Sequence, residues 1–192
     1  WGQYMARDAG CTVYNLSKGG MTAKEYQNFA REKGFFDDEY KSQAYILALG
    51  VNDMSGVLNG TLEFGSTDDI DVTDYAKNKP TFAGYYARII AKYQAMQPKA
   101  KFFLITKPEG VESEDRKALF DKHAEFLHKL TEIFENCYVI DLRKYGPEYN
   151  EEFRNNFFLG GHMNASGYRL TALMVESYID YIIRNNPEDF KQ

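Results

Sequence analysis

Two polar residues of this chain stand where their chemistry could act on an acyl bond. Asn52 comes directly after the apolar run 45–50, and His162 comes directly after two glycines. A side-chain amide can donate hydrogen bonds to a developing oxyanion, and an imidazole can accept a proton near neutral pH. The same residue types are also common in ordinary turns and loops, so a purely structural role stays open at this point.

A pair of glycines, Gly19 and Gly20, marks a third candidate position. The pair lies between a β-rich segment, 12–16, and a helix predicted over 23–33. Glycine accepts positive φ angles and lets the backbone approach a ligand closely. The pair lacks the spacing of either phosphate-binding glycine loop, so neither a nucleotide nor any other cofactor is expected.

The elements that must position these residues alternate between strand and helix. The run 45–49 is too short for a lone helix and is apolar throughout, which is typical of a strand buried on both faces. Ligands of open α/β sheets bind beyond the carboxyl ends of the strands, which is where Asn52 lies. Strands are predicted over residues 12–16, 45–49, 101–106 and 137–141, and helices over 1–10, 23–33, 81–97, 112–135 and between Asn164 and Pro187.

This alternation predicts an α/β fold, a three-layer α/β/α sandwich with a mainly parallel sheet. Residues 1–192 show no linker or repeat and are expected to form a single domain. The formal net charge of −5 offers no electrostatic footprint for nucleic acid. No apolar run approaches the ~20 residues that span a bilayer.

Two features resemble metal sites but lack the required spacing. The acidic run 68–74 holds four carboxylates in an order that differs from an EF-hand loop, so a solvated acidic loop is expected there. His123 and His128 are five residues apart on a predicted helix, whereas zinc-binding pairs on one helix face are four apart. No metal is therefore expected, and His128 is predicted to be a surface residue.

Three separated segments resemble the SGNH, or GDSL-type, hydrolases, which are esterases and lipases of flavodoxin-like fold. They are Asn-Leu-Ser-Lys-Gly-Gly-Met-Thr over 15–22, Gly-Val-Asn-Asp over 50–53 and His-Met-Asn-Ala-Ser-Gly-Tyr over 162–168. Gly-x-Asn-Asp is a short motif, but three blocks in the family's order are more specific. The resemblance covers nearly the whole chain, including the helix and strand predicted over 82–106.

The resemblance implies a role for each candidate residue. The Gly20 backbone N–H and the Asn52 side chain would form the oxyanion hole, and His162 would take the proton from a serine nucleophile and return it to the leaving alcohol. The implied function is a serine esterase acting on a small-molecule or carbohydrate ester, with acyl groups on carbohydrate favoured. The segment 53–80 follows Asn52 and is expected to wall the substrate pocket.

The chain departs from the family's pattern at the nucleophile. The family carries its serine in a Gly-Asp-Ser block on the first strand, ahead of a segment that resembles residues 1–10. Trp1 is not a natural start, so the first strand and the nucleophile block are expected upstream of it. Ser17 is the one alternative nucleophile near the oxyanion glycine and is disfavoured, and Ser166 is expected to be structural.

A second departure concerns the group that orients the base. The family usually places an Asp three residues before the histidine, and that position is Leu159. A backbone carbonyl could orient His162 in a Ser-His dyad, another acid such as Asp141 could reach it, or catalysis could be weak or lost. Losing an orienting carboxylate can cost several orders of magnitude in rate.

Two other classes of function fit the same fold. A non-catalytic relative would bind a ligand in the same crevice, and both the missing serine and Leu159 favour it. A flavin-binding or signalling domain would share the sheet order. The sequence shows neither a phosphate cradle nor the acidic pocket of a receiver domain, so this last class is disfavoured.

Overall fold

The structure, a computed structural model, describes residues 1–191. These residues divide into two compact units. The first unit comprises Trp1–Asn15, Pro108–Glu112 and Ile140–Gln192, and the second unit comprises Leu16–Lys107 and Ser113–Val139. The expectation of one domain over 1–192 stays a prediction.

The elements follow one another as helices and short strands. In chain order they are α1 (Gly2–Asp8), α2 (Ala23–Glu32), β1 (Ala44–Leu47), α3 (Val51–Leu58), α4 (Phe82–Met96), β2 (Lys101–Ile105), α5 (Glu114–Ile133), β3 (Cys137–Ile140), α6 (Leu142–Tyr145), α7 (Glu151–Phe157), β4 (Phe158–Leu159), β5 (His162–Met163) and α8 (Ala165–Asn185). Short 3-10 turns lie at Asp38–Tyr40, Thr67–Asp69, Tyr75–Lys77 and Pro187–Phe190.

A parallel three-stranded sheet, in the order β1-β2-β3, organises the second unit. β1 and β2 pair in parallel, with Ala44 opposite Lys101. Tyr45 and Leu47 of β1 are buried, whereas Ile46, which points to the other face, is half-buried, so β1 is less enclosed than the expected strand buried on both faces. The position of β1 at the edge of the described sheet explains the difference. The α/β class is confirmed, and the three-layer arrangement stays a prediction.

The helices of the second unit begin at caps that the sequence specifies. The Thr22 hydroxyl accepts the Glu25 backbone N–H, and the Glu25 carboxylate accepts the Thr22 N–H, which is a complete capping box for α2. The Thr81 hydroxyl accepts the Gly84 N–H at the start of α4. α4 packs against α2, where the hydroxyls of Tyr26 and Tyr93 share a buried hydrogen bond of 2.7 Å.

Aromatic rings fill the core of the second unit. Phe82 lies at the centre of a cluster, with ring centroids 5.6 Å from Tyr86, 5.7 Å from Phe126 and 5.3 Å from Phe64. All four rings are buried. Rings in such edge-to-face and tilted arrangements contribute both apolar burial and favourable quadrupole contacts. Part of the high Tyr and Phe content therefore serves the core.

The first unit is mainly helical. α1 packs against α8, which begins where the Asn164 side chain accepts the Gly167 N–H at 2.9 Å. Directly before this cap, β4 and β5 form a hairpin with a two-residue turn. The first turn residue, Gly160, has φ +64°, as tight turns between paired strands require. Asn164 therefore starts the last helix as the sequence predicts.

Two predicted elements differ from the structure. The strand predicted over 12–16 from its β-branched residues is absent. This segment pairs with no strand in the described chain. The segment 53–80 has little periodicity in sequence and would be expected to be irregular. In the structure its first residues belong to α3, which begins at Val51 and ends at Leu58. Asn52 and Asp53 consequently lie in the first turn of a helix rather than in a loop.

Gly50 ends the short connection, 48–50, between β1 and α3. Its φ of +124° lies outside the regions open to other residues, and a Cβ at this position would overlap the imidazole of His123 on α5. Gly50→Ala is expected to lower the free energy of unfolding by about 3–5 kcal/mol, since backbone strain and overpacking add. Urea unfolding measures this.

Gly60→Ala is the matched control for that substitution. Gly60 has φ +70° but open space around its Cα, so only the left-handed conformation opposes a side chain, at a cost of about 1–2 kcal/mol. If the two substitutions lowered the free energy of unfolding equally, the overlap between a Cβ at position 50 and His123 would contribute nothing to the loss of stability.

Candidate functional site

The structure brings Asn52 to the segment that carries Gly20. The Asn52 side-chain amide donates a hydrogen bond to the Met21 carbonyl, with Nδ2 3.1 Å from the oxygen. An amide has two hydrogens, and this bond uses one while fixing the direction of the other. Asn52 and Gly20 are both exposed, and Gly20 has φ +78° with open space around its Cα. Both residues are therefore accessible from solvent.

Asp53 holds the same segment from the buried side. Ala23 is the first residue of α2, and its backbone N–H donates to Asp53 Oδ1 at 2.9 Å. The side chain is fully buried, and its Oδ2 has no hydrogen-bond partner within residues 1–191. Burial raises the pKa of Asp53 from 3.8 to about 6, against the lowering effect of the Ala23 hydrogen bond. The sequence pattern gave Asp53 no role beyond a turn.

Replacing Asp53 with Asn is expected to change how stability depends on pH. The folded pKa is raised, so the favourable contribution of the protonated carboxyl is present at low pH and is lost as pH rises through about 6. The unfolding free energy of the Asn variant relative to wild-type should therefore increase by about 2–3 kcal/mol between pH 4 and pH 8. The charge of Glu25 also raises the pKa of Asp53. The Asp53 carboxylate in turn raises the pKa of the buried Tyr86 hydroxyl, which stays neutral over this pH range. Urea unfolding across this range measures the slope.

Asp71→Asn provides a control of opposite sign. Hydrogen bonds from Thr73 lower the pKa of Asp71, so its stabilising contribution is lost as pH falls rather than as pH rises. A relative stability of the Asp53 variant that does not vary with pH would contradict the raised pKa.

His162 opens the second strand of the β4–β5 hairpin and is exposed. The sequence places it in a loop, and the structure corrects this to a strand residue paired with Leu159. Residues directly opposite each other in an antiparallel pair project to the same face, so the position three residues before the histidine is brought beside it. In this chain that neighbour is a leucine, 80% exposed, and it provides no carboxylate.

Asp141, the other acid considered for orienting His162, lies at the start of α6. It is buried and accepts the Lys144 N–H at 3.1 Å, which makes it the N-cap of that short helix. A role of Asp141 toward the imidazole stays a prediction.

Four aromatic rings lie on and beside α7, the last of them in β4 of the His162 hairpin. Tyr149 and Phe153 stack with centroids 4.3 Å apart and an interplanar angle of 11°. Phe157 lies 4.7 Å from Phe153, and Phe158 lies 5.7 Å from Tyr149. The four rings are half-buried. This cluster of Tyr149, Phe153, Phe157 and Phe158 is termed the α7 aromatic cluster.

The other polar features are accounted for locally. In the acidic run, the Asp69 carboxylate accepts hydrogen bonds from Lys79 at 2.9 Å and Thr81 at 3.0 Å. His123 is buried beside Phe82, and His128 is exposed as predicted. Among residues 1–191, no three metal-ligating side chains come together.

Ser17 and Ser166 both lie at exposed positions, Ser17 in an irregular segment and Ser166 in the first turn of α8. Within residues 1–191, no helix combines the length and apolarity that crossing a bilayer requires.

Comparison with known proteins gives one finding. Residues 1–170 match the profile of the GDSL-like Lipase/Acylhydrolase family. No match was found among functionally curated proteins. The matched region contains all three blocks that carry Gly20, Asn52 and His162. Since the match covers most of its length, the chain belongs to the GDSL-like lipase and acylhydrolase family, and it is an SGNH-type hydrolase.

Proposed function

We propose that this protein is a serine esterase that hydrolyses carboxylic esters, with an oxyanion hole formed by Gly20 and Asn52 and with His162 as the general base. Family membership supports ester hydrolysis in general. The observation that carries the finer assignment is the hydrogen bond from Asn52 to the Met21 carbonyl. It joins the amide of the Gly-Val-Asn-Asp segment, 50–53, to the residue that follows Gly20 in the segment 15–22.

The proposed reaction uses each group for a separate task. The serine Oγ attacks the ester carbonyl while His162 accepts its proton, and the carbonyl oxygen becomes an oxyanion. The Asn52 amide and the Gly20 N–H donate to that oxyanion, each contributing about 3 kcal/mol of transition-state stabilisation. The imidazolium then protonates the leaving alcohol, which leaves an acyl group on the serine. In the second half, His162 accepts a proton from the water that attacks this acyl group, and it returns the proton to the serine as the acid is released.

The nucleophile is proposed to lie in the Gly-Asp-Ser block that the family places ahead of the region resembling residues 1–10. The sheet offers support for this, because β1 is at one end of the order β1-β2-β3 within the described chain. The outer edge of β1 has backbone groups that another strand could pair with. With such a strand, residues 1–192 would form one three-layer domain of flavodoxin-like fold.

For the substrate, we propose acyl groups on carbohydrate. The α7 aromatic cluster extends from Tyr149 into β4 of the His162 hairpin, and its rings are half-buried. Aromatic faces are apolar and carry partial negative charge, which suits the C–H faces of sugar rings.

The test of this substrate compares acetate release from an acetylated oligosaccharide with hydrolysis of 4-nitrophenyl acetate, using the protein with its natural upstream residues. A higher kcat/KM for the oligosaccharide is expected. A Tyr149→Ala variant should lower that advantage while leaving the aryl ester rate within about threefold, since only the sugar uses the ring face. A clear preference for the aryl ester would contradict the carbohydrate assignment.

One observation favours a second candidate, a binding module without catalysis. Leu159 occupies the place beside His162 where the family usually has an orienting acid, so the base lacks that support. Such a module would bind the acetylated oligosaccharide without releasing acetate. Calorimetric titration run beside the acetate assay separates the two functions.

A further inference from the structure

Two consecutive residues of α3 hold the segment between Gly20 and α2. Asn52 donates to the Met21 carbonyl at 3.1 Å, and Asp53 accepts the Ala23 N–H at 2.9 Å. The two bonds have opposite directions and meet the chain on either side of Thr22. Together they fix both the position and the orientation of the short stretch that follows Gly20.

Two exposed glycines precede this stretch. Gly19 and Gly20 are exposed, and neither has an atom within 4 Å of the place where a Cβ would stand. The capping box of Thr22 and Glu25 is internal to α2 and does not connect the segment to α3. The two bonds from Asn52 and Asp53 therefore connect the residues after Gly20 directly to the helix that carries Asn52.

Asp53 is not explained by a contribution to the stability of the fold. It is fully buried, and one of its oxygens has no hydrogen-bond partner within residues 1–191. A buried carboxyl with an unbonded oxygen destabilises a fold. The N–H of Ala23 would be satisfied as well by a neutral acceptor.

We propose that Asp53 is a positioning residue of the oxyanion hole: by accepting the Ala23 N–H it holds the Gly20 region in register with the Asn52 amide. The inference rests on the proposed function of Gly20 and Asn52. Asp53 itself does not touch the substrate in this scheme. Its effect is transmitted through the Ala23 hydrogen bond to donors whose placement must be accurate to well under 1 Å.

The test uses three variants of the protein with its natural upstream residues, assayed with 4-nitrophenyl acetate. Asp53→Leu removes the acceptor at similar volume and is expected to lower kcat by about 10²-fold with little change in KM. Asp53→Asn keeps an acceptor oxygen for Ala23 and should retain kcat within about threefold. Ala23→Pro removes the donor at the first helical position, where proline is tolerated, and should lower kcat as Asp53→Leu does. If Asp53→Leu does not fold, the kcat of Ala23→Pro is compared with that of wild-type protein instead.

Tyr26→Phe is the matched control for stability. It removes the buried hydrogen bond between Tyr26 of α2 and Tyr93 of α4. The hydrogen bond between Asp53 and the Ala23 N–H is not part of that pair. We expect it to lower the melting temperature but to leave kcat unchanged. A loss of kcat in Tyr26→Phe equal to that in Asp53→Leu, or full kcat in Asp53→Leu, would overturn the positioning role.

Amide hydrogen exchange separates this inference from the proposed function. In wild-type protein the Ala23 amide should exchange slowly, and Asp53→Leu should accelerate exchange over residues 21–23 by about tenfold or more. If wild-type protein has no esterase activity, the proposed function fails, and the oxyanion role of Asp53 fails with it. If wild-type protein is active and exchange over 21–23 is unchanged in Asp53→Leu, the proposed function stands and this inference alone is overturned.

Discussion

His162→Ala is expected to lower kcat for 4-nitrophenyl acetate by about 10²–10⁴-fold, because the serine would lose the group that accepts its proton. KM should change little, since the exposed imidazole of β5 is assigned to proton transfer rather than to substrate binding. The rates should be measured in the protein with its natural upstream residues. Folding is not expected to suffer, as the hairpin is held by its backbone bonds and by the Asn164 cap that follows.

His128→Ala is the matched control for the loss of an exposed imidazole. His128 lies on the surface of α5, and its removal should leave kcat within about twofold of wild-type. Equal rates for wild-type and His162→Ala would contradict the assignment of the base. A loss in both histidine variants would instead indicate a general effect on the protein.

Asn52→Ala is expected to lower kcat by about 10²–10³-fold, because one donor to the oxyanion is removed. The substitution also removes the hydrogen bond to the Met21 carbonyl, which at an exposed position costs about 0.5–1.5 kcal/mol of stability. The kinetic effect should therefore far exceed the shift in melting temperature. Steady-state kinetics with 4-nitrophenyl acetate measure it.

Asn59→Ala controls for the loss of an exposed asparagine from the same helix. Asn59 follows the last residue of α3, at the opposite end from Asn52. Its replacement should leave kcat within about twofold. If Asn52→Ala changed KM but not kcat, Asn52 would contribute to binding of the ground state rather than to the transition state.

Much of the fold follows from local sequence signals. The capping box at Thr22 and Glu25, the cap at Thr81 and the cap at Asn164 all act within four residues of the helices they start. Such contacts are fixed by neighbours in the chain, so the sequence pattern predicts them directly. The family assignment likewise follows from short blocks whose residue types are visible in order.

The candidate site was less predictable, because its contacts join distant residues. The bond from Asp53 to Ala23 spans 30 positions, and nothing in the two local sequences shows that they meet. The sequence pattern does not predict the helix that begins at Val51, because a glycine followed by Asn and Asp is equally typical of a turn. The pairing of His162 with Leu159 depends on a two-glycine turn that the sequence pattern describes only as a flexible loop.

The most direct test of the central claim is covalent labelling with a fluorophosphonate, read by mass spectrometry of the protein with its natural upstream residues. The account predicts one adduct, on a serine of the Gly-Asp-Ser block, which forms much more slowly in His162→Ala. An adduct on Ser17 would move the nucleophile into the described chain. A folded protein that forms no adduct would contradict a serine esterase and favour the binding module.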